Sequence, residues 1–287
     1  MLKQLLNFIT HLRLHYQFFI LSGGYLLAGL FVEAINWQQF WLQFLNVHVF
    51  LFGGATAYNS WWDKDEGPIG GLKTPPKMTQ WMWPASMVMQ YIGLAWAVSV
   101  NWNYVLIYAV SMLFFWLYST PLARWKGKPV LSFVAIGIST GTNSFLLGFL
   151  AAGGYPITYF EDLIALGVAL ILLSLYPVSQ VFQIKEDLQR RDKTFAARYG
   201  LRGVKWLFTI LFPMGSGILS WSLLHQVTLI GFCFIGLNLA AYFGLLFYVW
   251  NLKADQSEYQ YVMRIKVSAS FFFVLFILSS LLYKEMF

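Results

Sequence analysis

The sequence is poor in cysteine and in charge, and each shortage excludes a class of protein. Cys233 is the single cysteine among 287 residues, so the chain cannot build a disulfide framework or a multi-cysteine metal site. Only 11% of its residues are charged, whereas an average soluble protein has about 25%. The composition therefore excludes an ordinary soluble globular domain.

Apolar residues take the place of the missing charge. The chain is 59% hydrophobic and 20% aromatic, and its mean hydropathy is +0.61. About 20 apolar residues suffice to cross a bilayer. Nine apolar stretches are candidates for such crossings, at about residues 16–34, 37–58, 79–100, 104–119, 130–152, 163–182, 204–224, 229–250 and 262–283. We expect an all-α integral membrane protein, in which a bundle of nine transmembrane helices forms one domain over residues 1–287.

The basic residues predict how this bundle is oriented. Eighteen of the 19 Lys and Arg residues precede the first stretch or follow the second, fourth, sixth and eighth, and Lys284 is the exception. Because cytoplasmic connections are rich in Lys and Arg, we expect a cytoplasmic N-terminus. The net charge of +7 then indicates contact with anionic headgroups of the lipid bilayer, and we expect no nucleic-acid partner. Residues 1–14 have apolar residues at helical spacing and predict a short amphipathic helix on the membrane surface.

Half of the 12 acidic residues fall in two short clusters. In the first cluster Asn59 and Asp63 are four residues apart and share a helix face. In the second cluster Gln183, Glu186 and Asp187 share a face for the same reason. Four predicted crossings separate the clusters, so we expect both to open on the same side of the membrane. The candidate metal ligands are Asn59, Asp63, Asp65, Gln183, Glu186, Asp187 and Asp192.

These residue types indicate a site for a hard cation and a phosphate group. Oxygen ligands suit Mg²⁺, which is commonly bound by one or two carboxylates together with substrate phosphates. Basic residues lie beside both clusters and after the fourth stretch, and could hold a diphosphate; they are Lys64, Arg124, Lys126 and Lys193. The structural alternative is that the two clusters are solvated loop charges next to residues that set the topology.

With these motifs in place, the chain resembles the UbiA superfamily of intramembrane prenyltransferases over essentially its whole length. The resemblance implies a nine-helix bundle with two aspartate-rich motifs, after helices 2 and 6, that bind Mg²⁺ and an isoprenyl diphosphate. Asn59 and Asp63 match the first motif, and Asp187 with the segment 193–200 resembles the second. The stretch from Tyr118 to Lys126 resembles the tyrosine and basic residues that the family places near the diphosphate.

The sequence departs from the family pattern in both motifs. The family commonly has aspartate directly after the first asparagine and again eight positions after it, and these places hold Ser60 and Gly67. Gln183 stands where the second motif usually begins with aspartate. Metal ligation is therefore expected to be altered in both halves of the site.

The resemblance implies that an allylic diphosphate is ionised and that its carbocation reacts in a dry chamber. Asp63, Asp187 and Tyr118 are the candidate catalytic residues. Aromatic faces can stabilise a cation, and the candidates for lining the prenyl chain or the cation are Tyr58, Trp61, Trp62 and Asn143. The structural alternatives are that the aromatic residues mark the bilayer interfaces and that Asn143 forms interhelical hydrogen bonds.

The leading hypothesis is a Mg²⁺-dependent prenyltransferase whose active site opens to the cytoplasm. It would transfer an isoprenyl group from the diphosphate to a lipophilic acceptor, such as an aromatic compound or a quinone precursor. A terpene cyclase of the same fold, which needs no acceptor, is the first alternative. A transporter or ion-binding protein is the second, because intramembrane carboxylates also mark ion pathways.

Overall fold

The computed structural model describes residues 2–64, 67–253 and 255–286. Apart from one isolated bridge between Ile69 and Leu72, these residues form helices and loops. The helices are α1 (Leu2–Leu21), α2 (Gly23–Phe31), α3 (Trp37–Asp63), α4 (Met82–Ala97), α5 (Trp102–Ser119), α6 (Pro129–Ala151), α7 (Tyr159–Gln189), α8 (Phe195–Gln226), α9 (Thr228–Trp250) and α10 (Tyr259–Met286).

Seven of the described helices, α3 and α5 to α10, are long and apolar enough to cross a membrane. The bent pair α1 and α2, whose axes differ by 42°, could supply an eighth span. Helix α4 has 16 residues, so it is about 24 Å long, shorter than the bilayer core of about 30 Å. The prediction of an all-α membrane protein is confirmed. The count of nine transmembrane helices is not confirmed, and the orientation of the N-terminus stays a prediction.

Helix α1 is interrupted where it reaches the bundle. Its first segment, Leu2–His11, is followed by Arg13 in a left-handed conformation with φ 50°. Phe8 packs in a small buried cluster with residues of α3 and α4, whereas Leu2, Leu5 and other apolar residues of this segment are exposed. This segment is therefore a helix whose apolar residues are in part packed against the bundle and in part exposed. Its position on a membrane surface stays a prediction.

Three of the long helices change their winding near the middle or the end. Helix α3 is π-helical over Asn46–Gly53, and α6 is π-helical over Gly137–Thr142. Helix α7 changes at Pro177, which has no backbone N–H and cannot continue the α-helical ladder. The 3₁₀ segment Pro177–Gln183 follows, and then the short helix Ile184–Gln189. The second acidic cluster therefore lies on a broken helix end, and such breaks are frequent at functional sites.

The main hydrophobic core lies between the helices of the bundle and holds them together. It contains fully buried aromatic residues from several helices, among them Tyr25 of α2, Phe52 of α3 and Phe145 of α6. Helices α2 and α6 approach closely because Gly148 has no side chain, since a Cβ there would overlap the carbonyl oxygen of Tyr25. This tight packing fixes the relative positions of the helix ends that form the site.

Candidate active site

The ends of α3 and α7 meet the α5–α6 connection around one cavity of about 240 Å³, and α1 and α10 close its other side. The structure brings the two acidic clusters together at this cavity. Six of the residues singled out in the sequence line it: Asn59, Asp63, Tyr118, Lys126, Gln183 and Asp187.

Asn59 and Asp63 are presented by the last turns of α3. The amide nitrogen of Asn59 donates a hydrogen bond of 3.0 Å to Ser119 Oγ of α5, which leaves its carbonyl oxygen as the atom that can serve as a ligand. Asp63 is the last residue of the helix, and Lys64 ends it in a left-handed conformation. Helical spacing thus places both residues on one face, as the sequence predicts.

A network of buried charges joins Asp63 to the second motif. Lys126 Nζ lies 2.5 Å from Asp63 Oδ1 and 3.9 Å from Asp192 Oδ2. Arg124 binds Asp192 in a bidentate manner, with N–O distances of 2.8 and 2.7 Å, and its Nη1 lies 3.8 Å from Asp63. Two cations from the α5–α6 connection therefore bridge carboxylates that are far apart in the sequence.

Asp187 lines the same cavity and is 9% exposed. Thr194 donates a hydrogen bond of 2.8 Å to Asp187 Oδ2. The same threonine hydroxyl caps α8 by accepting from the backbone N–H of Ala197. The start of α8 therefore fixes the rotamer of Asp187, which explains why threonine follows the second motif at this spacing.

The loop that follows the first motif, residues 67–72, contacts the second motif at the edge of the cavity. Gln183 Nε2 donates to the carbonyl oxygen of Pro68 over 3.2 Å. On the other side of the loop, Arg13 Nη1 donates to the carbonyl oxygen of Gly70 over 3.1 Å. Gln183 therefore takes part in an intramolecular contact between this loop and α7, and Gly67 lies in the same loop beside Glu186.

The remaining candidates of the sequence analysis lie outside the cavity lining. Lys64 and Lys193 are exposed, and Glu186 forms an ion pair of 2.6 Å with Arg190. Arg124 and Asp192 form the bidentate pair behind the cavity wall. Asp65 lies outside the described residues.

The four residues predicted to line the prenyl chain or the cation also lie outside the cavity lining. Tyr58 shares a hydrogen bond of 2.8 Å with Thr120, and Trp62 packs against the ring of Tyr58. Neither these residues nor Trp61 line the cavity. Asn143 donates to Ser111 Oγ over 2.9 Å, an interhelical contact within the core.

Several cavity residues are not among the site residues that the sequence analysis predicts. Five of them carry charge or a phenol: Arg13, Tyr16, Tyr176, Arg190 and Lys266. Arg13 and Tyr16 lie in α1, and Lys266 lies in α10, so the two ends of the chain meet at the cavity. Tyr176 shares a hydrogen bond of 3.0 Å with Tyr118. A basic residue inside an apolar stretch was the available signal for Lys266, because such residues are rare without a role.

The donor set of the cavity fits Mg²⁺ only in combination with a phosphate ligand. Among the described residues, no three His, Cys, Asp or Glu side chains lie close enough together to hold a metal ion. Mg²⁺ usually keeps several waters and takes one or two carboxylates plus substrate phosphates. Asp63 and Asp187, with the amide oxygen of Asn59, supply such a partial set in the lining of one cavity.

A second cavity, apolar and of about 880 Å³, adjoins the first. It lies among α2, α6, α7, α9 and α10, and Leu21, Leu172 and Ser270 are among the residues that line both cavities. The site therefore consists of a charged chamber that continues into an apolar one. This arrangement defines a class of protein: a helical membrane protein that can hold a polar, phosphate-like group at one end of a long apolar chain.

Comparison with known proteins narrows this class to one family. The sequence profile described as the UbiA prenyltransferase family matches residues 18–277, and the chain belongs to this family. No curated protein sequence matches it significantly.

Solved structures of similar proteins share the fold at low sequence identity. A UbiA homolog from Archaeoglobus fulgidus bound to GPP and Mg²⁺ has a TM-score of 0.71 and 15% identity, covering 94% of this chain and 99% of that one. The same homolog bound to DMAPP and Mg²⁺ has a TM-score of 0.70, 15% identity and the same coverage. A structure described as giving insights into digeranylgeranylglyceryl phosphate synthase in membranes has a TM-score of 0.63 and 17% identity, covering 97% of this chain and 99% of that one.

Proposed function

We propose that this chain is a Mg²⁺-dependent prenyltransferase that moves an isoprenyl group from its diphosphate to a lipophilic acceptor. The observation that carries the proposal is the charged cavity that Asp63 and Asp187 line together with Lys126. The apolar cavity beside it is suited to a prenyl chain. The solved relatives that are described as bound to GPP or DMAPP with Mg²⁺ support the donor class.

The charged cavity suits the leaving group of the reaction. The bond between C1 of the prenyl chain and the diphosphate oxygen breaks, and the diphosphate keeps the electron pair. Mg²⁺, when bound, would help to neutralise the charge that develops on the diphosphate. Lys126 is the protein cation best placed to assist, because it lines the cavity beside Asp63. Asp63 and Asp187 would hold the metal, and Thr194 keeps Asp187 in position.

The other walls suit the carbon chemistry. C1 of the prenyl cation forms a bond with the nucleophilic atom of the acceptor, and the acceptor then loses a proton. Tyr118 and Phe115 are cavity residues whose rings can stabilise positive charge by about 0.5–2 kcal/mol each. The apolar cavity that adjoins the charged one would keep water away from the prenyl chain and the cation, which water would otherwise capture.

Diphosphate release by the purified protein tests the metal-binding roles. We expect Asp63→Asn and Asp187→Asn each to lower the rate with geranylgeranyl diphosphate and Mg²⁺ by at least about 100-fold, the scale of losing one transition-state stabilising group. Asp162→Asn is the matched control, because Asp162 is exposed near the start of α7. Chelation should abolish release and added Mg²⁺ should restore it. Full activity of either cavity variant, or release in excess chelator, would refute the assignment.

The same assay separates a transferase from a cyclase. A transferase should release diphosphate slowly with donor alone and faster when a suitable acceptor is added, because placing the acceptor next to C1 lowers the barrier. A cyclase should turn over rapidly with donor alone.

We also propose that the cavity opens to the cytoplasm, because the basic connections that predict the cytoplasmic face include Arg13, Lys126 and Arg190, which line it.

A further inference from the structure

Lys266 is a buried cation of the charged cavity that the proposed function leaves without a role. It is 7% exposed and lies in the eighth position of α10, about 10 Å along a helix that can span the membrane. Its Nζ donates a hydrogen bond to the hydroxyl of Tyr16 and lies 4.9 Å from the centre of the Tyr16 ring. Among the described residues it forms no ion pair with a carboxylate.

A charge in this position is costly unless an anion meets it. Removing an ammonium group from water without a counter-ion is unfavourable, and ionisable residues within membrane spans usually bind a partner or a substrate. The phenol of Tyr16 offers a neutral acceptor and an aromatic face, which stabilise the ammonium only in part. Lys266 therefore presents an unmatched positive charge to the cavity.

The location of Lys266 separates it from the cation assigned to the leaving diphosphate. Lys126 comes from the α5–α6 connection and pairs with Asp63 of α3. Lys266 and Tyr16 come from α10 and α1, which form the other side of the lining. A reaction between two substrates needs a second subsite facing the first, and this pair is suited to an anionic group there.

The apolar cavity begins one helical turn away from Lys266. Ser270 follows Lys266 by four residues, so both side chains lie on the same face of α10. Ser270 lines the charged and the apolar cavity, whereas Lys266 lines only the charged one. A molecule bound to Lys266 by its head can thus extend its tail into the apolar space.

We propose that Lys266 and Tyr16 bind the anionic headgroup, a phosphate or a carboxylate, of an amphiphilic acceptor. This inference rests on the proposed function and specifies the substrate class of the same site. The acceptor is then an anionic lipid or an aromatic acid with an apolar body. Lys266 holds its charged group in place, so that its nucleophilic atom faces the donor.

The binding test uses the full chain in phosphatidylcholine nanodiscs and three probes of equal tail length. Octyl phosphate, octanoate and octanol are titrated by calorimetry, and empty nanodiscs supply the background. A hydrogen bond to a charged group corresponds to about 10- to 100-fold in affinity. We therefore expect the wild type to bind at least one of the two anions about 10-fold or more tightly than the alcohol. Preference for the phosphate would indicate a lipid-phosphate acceptor, and preference for the carboxylate an acidic one.

The variants locate the preference. Lys266→Met should abolish it, Lys266→Arg should retain it within about threefold, and Lys253→Met is the control because Lys253 is exposed. Equal affinity of the wild type for octanol and both anions, or an unchanged preference in Lys266→Met, would overturn the proposal. If Lys266→Met does not fold, the wild-type comparison of anions with octanol still decides the outcome.

A donor analogue keeps this result separate from the proposed function. Geranyl thiodiphosphate with Mg²⁺ should bind Lys266→Met as tightly as wild type within about threefold. A loss of 10-fold or more would assign Lys266 to the donor and overturn the acceptor site. If the analogue fails to bind the wild type, the proposed function fails, whereas the octyl titrations without donor still report on Lys266.

Discussion

Lys126 forms a buried ion pair whose loss should measurably lower the stability of the protein. Its Nζ lies 2.5 Å from Asp63 Oδ1, and the two side chains are only 10% and 5% exposed. Breaking a buried ion pair by removing one partner costs about 3–5 kcal/mol, because the other charge is left buried. Arg124, at 3.8 Å from the same oxygen, compensates in part. We therefore expect Lys126→Met to lower the free energy of unfolding by about 3 kcal/mol.

A second substitution separates stability from activity. Asp63→Asn in the Lys126→Met background removes the stranded charge, so the double variant should regain a large part of the lost stability. It should not regain diphosphate release, because the proposed metal ligand Asp63 and the proposed cation for the leaving group, Lys126, are both gone. Replacing both members of the ion pair should thus restore much of the free energy of unfolding but not the rate of diphosphate release.

The assay is detergent unfolding of the purified protein, followed by helical circular dichroism, together with diphosphate release. Lys128→Met is the matched control, since Lys128 is exposed two residues further on. Wild-type stability of Lys126→Met would refute the ion-pair argument. A double variant that is less stable than Lys126→Met would refute it as well.

Three further predictions concern the loop, the network and the topology. Gln183→Leu removes the hydrogen bond to Pro68, worth about 1 kcal/mol, and should speed amide hydrogen exchange in the loop 67–72 about fivefold; unchanged exchange would show that the contact does not hold the loop. Arg124→Lys keeps the charge but not the planar fork that binds Asp192, and should lower the free energy of unfolding by about 1–2 kcal/mol; an unchanged unfolding transition would argue against it. In a background without the native cysteine, a cysteine at Gly70 should react with an impermeant label from the cytoplasmic side and one at Gln226, which is exposed, from the other side; labelling of both from one side would disprove the alternating topology.

The sequence predicted the helical membrane fold and the pairing of the two acidic clusters because both follow from local rules. Apolar runs of spanning length predict helices, and a spacing of four residues places Asn59 and Asp63 on one face. The count of spans was less certain because α4 and the bent pair α1 and α2 are short or broken. Breaks of this kind depend on packing and are weakly marked in the sequence.

The cavity lining was harder to predict because it depends on contacts between distant segments. Asp192 and Glu186 have the chemistry of metal ligands, yet basic neighbours engage both of them in the structure. Lys266 and Tyr16 are 250 residues apart and meet only because α10 packs against α1. Spacing arguments work within one helix and do not reach across such distances.

The identity of the product is the most direct test of whether the protein transfers a prenyl group to an acceptor. Purified protein with Mg²⁺ and geranylgeranyl diphosphate is incubated with and without a membrane lipid extract, and the organic products are identified by mass spectrometry. We expect an adduct whose mass is that of an acceptor plus the prenyl group minus one hydrogen, formed only with the extract. A cyclic hydrocarbon or alcohol with the carbon number of the donor, formed rapidly without extract, would contradict this expectation.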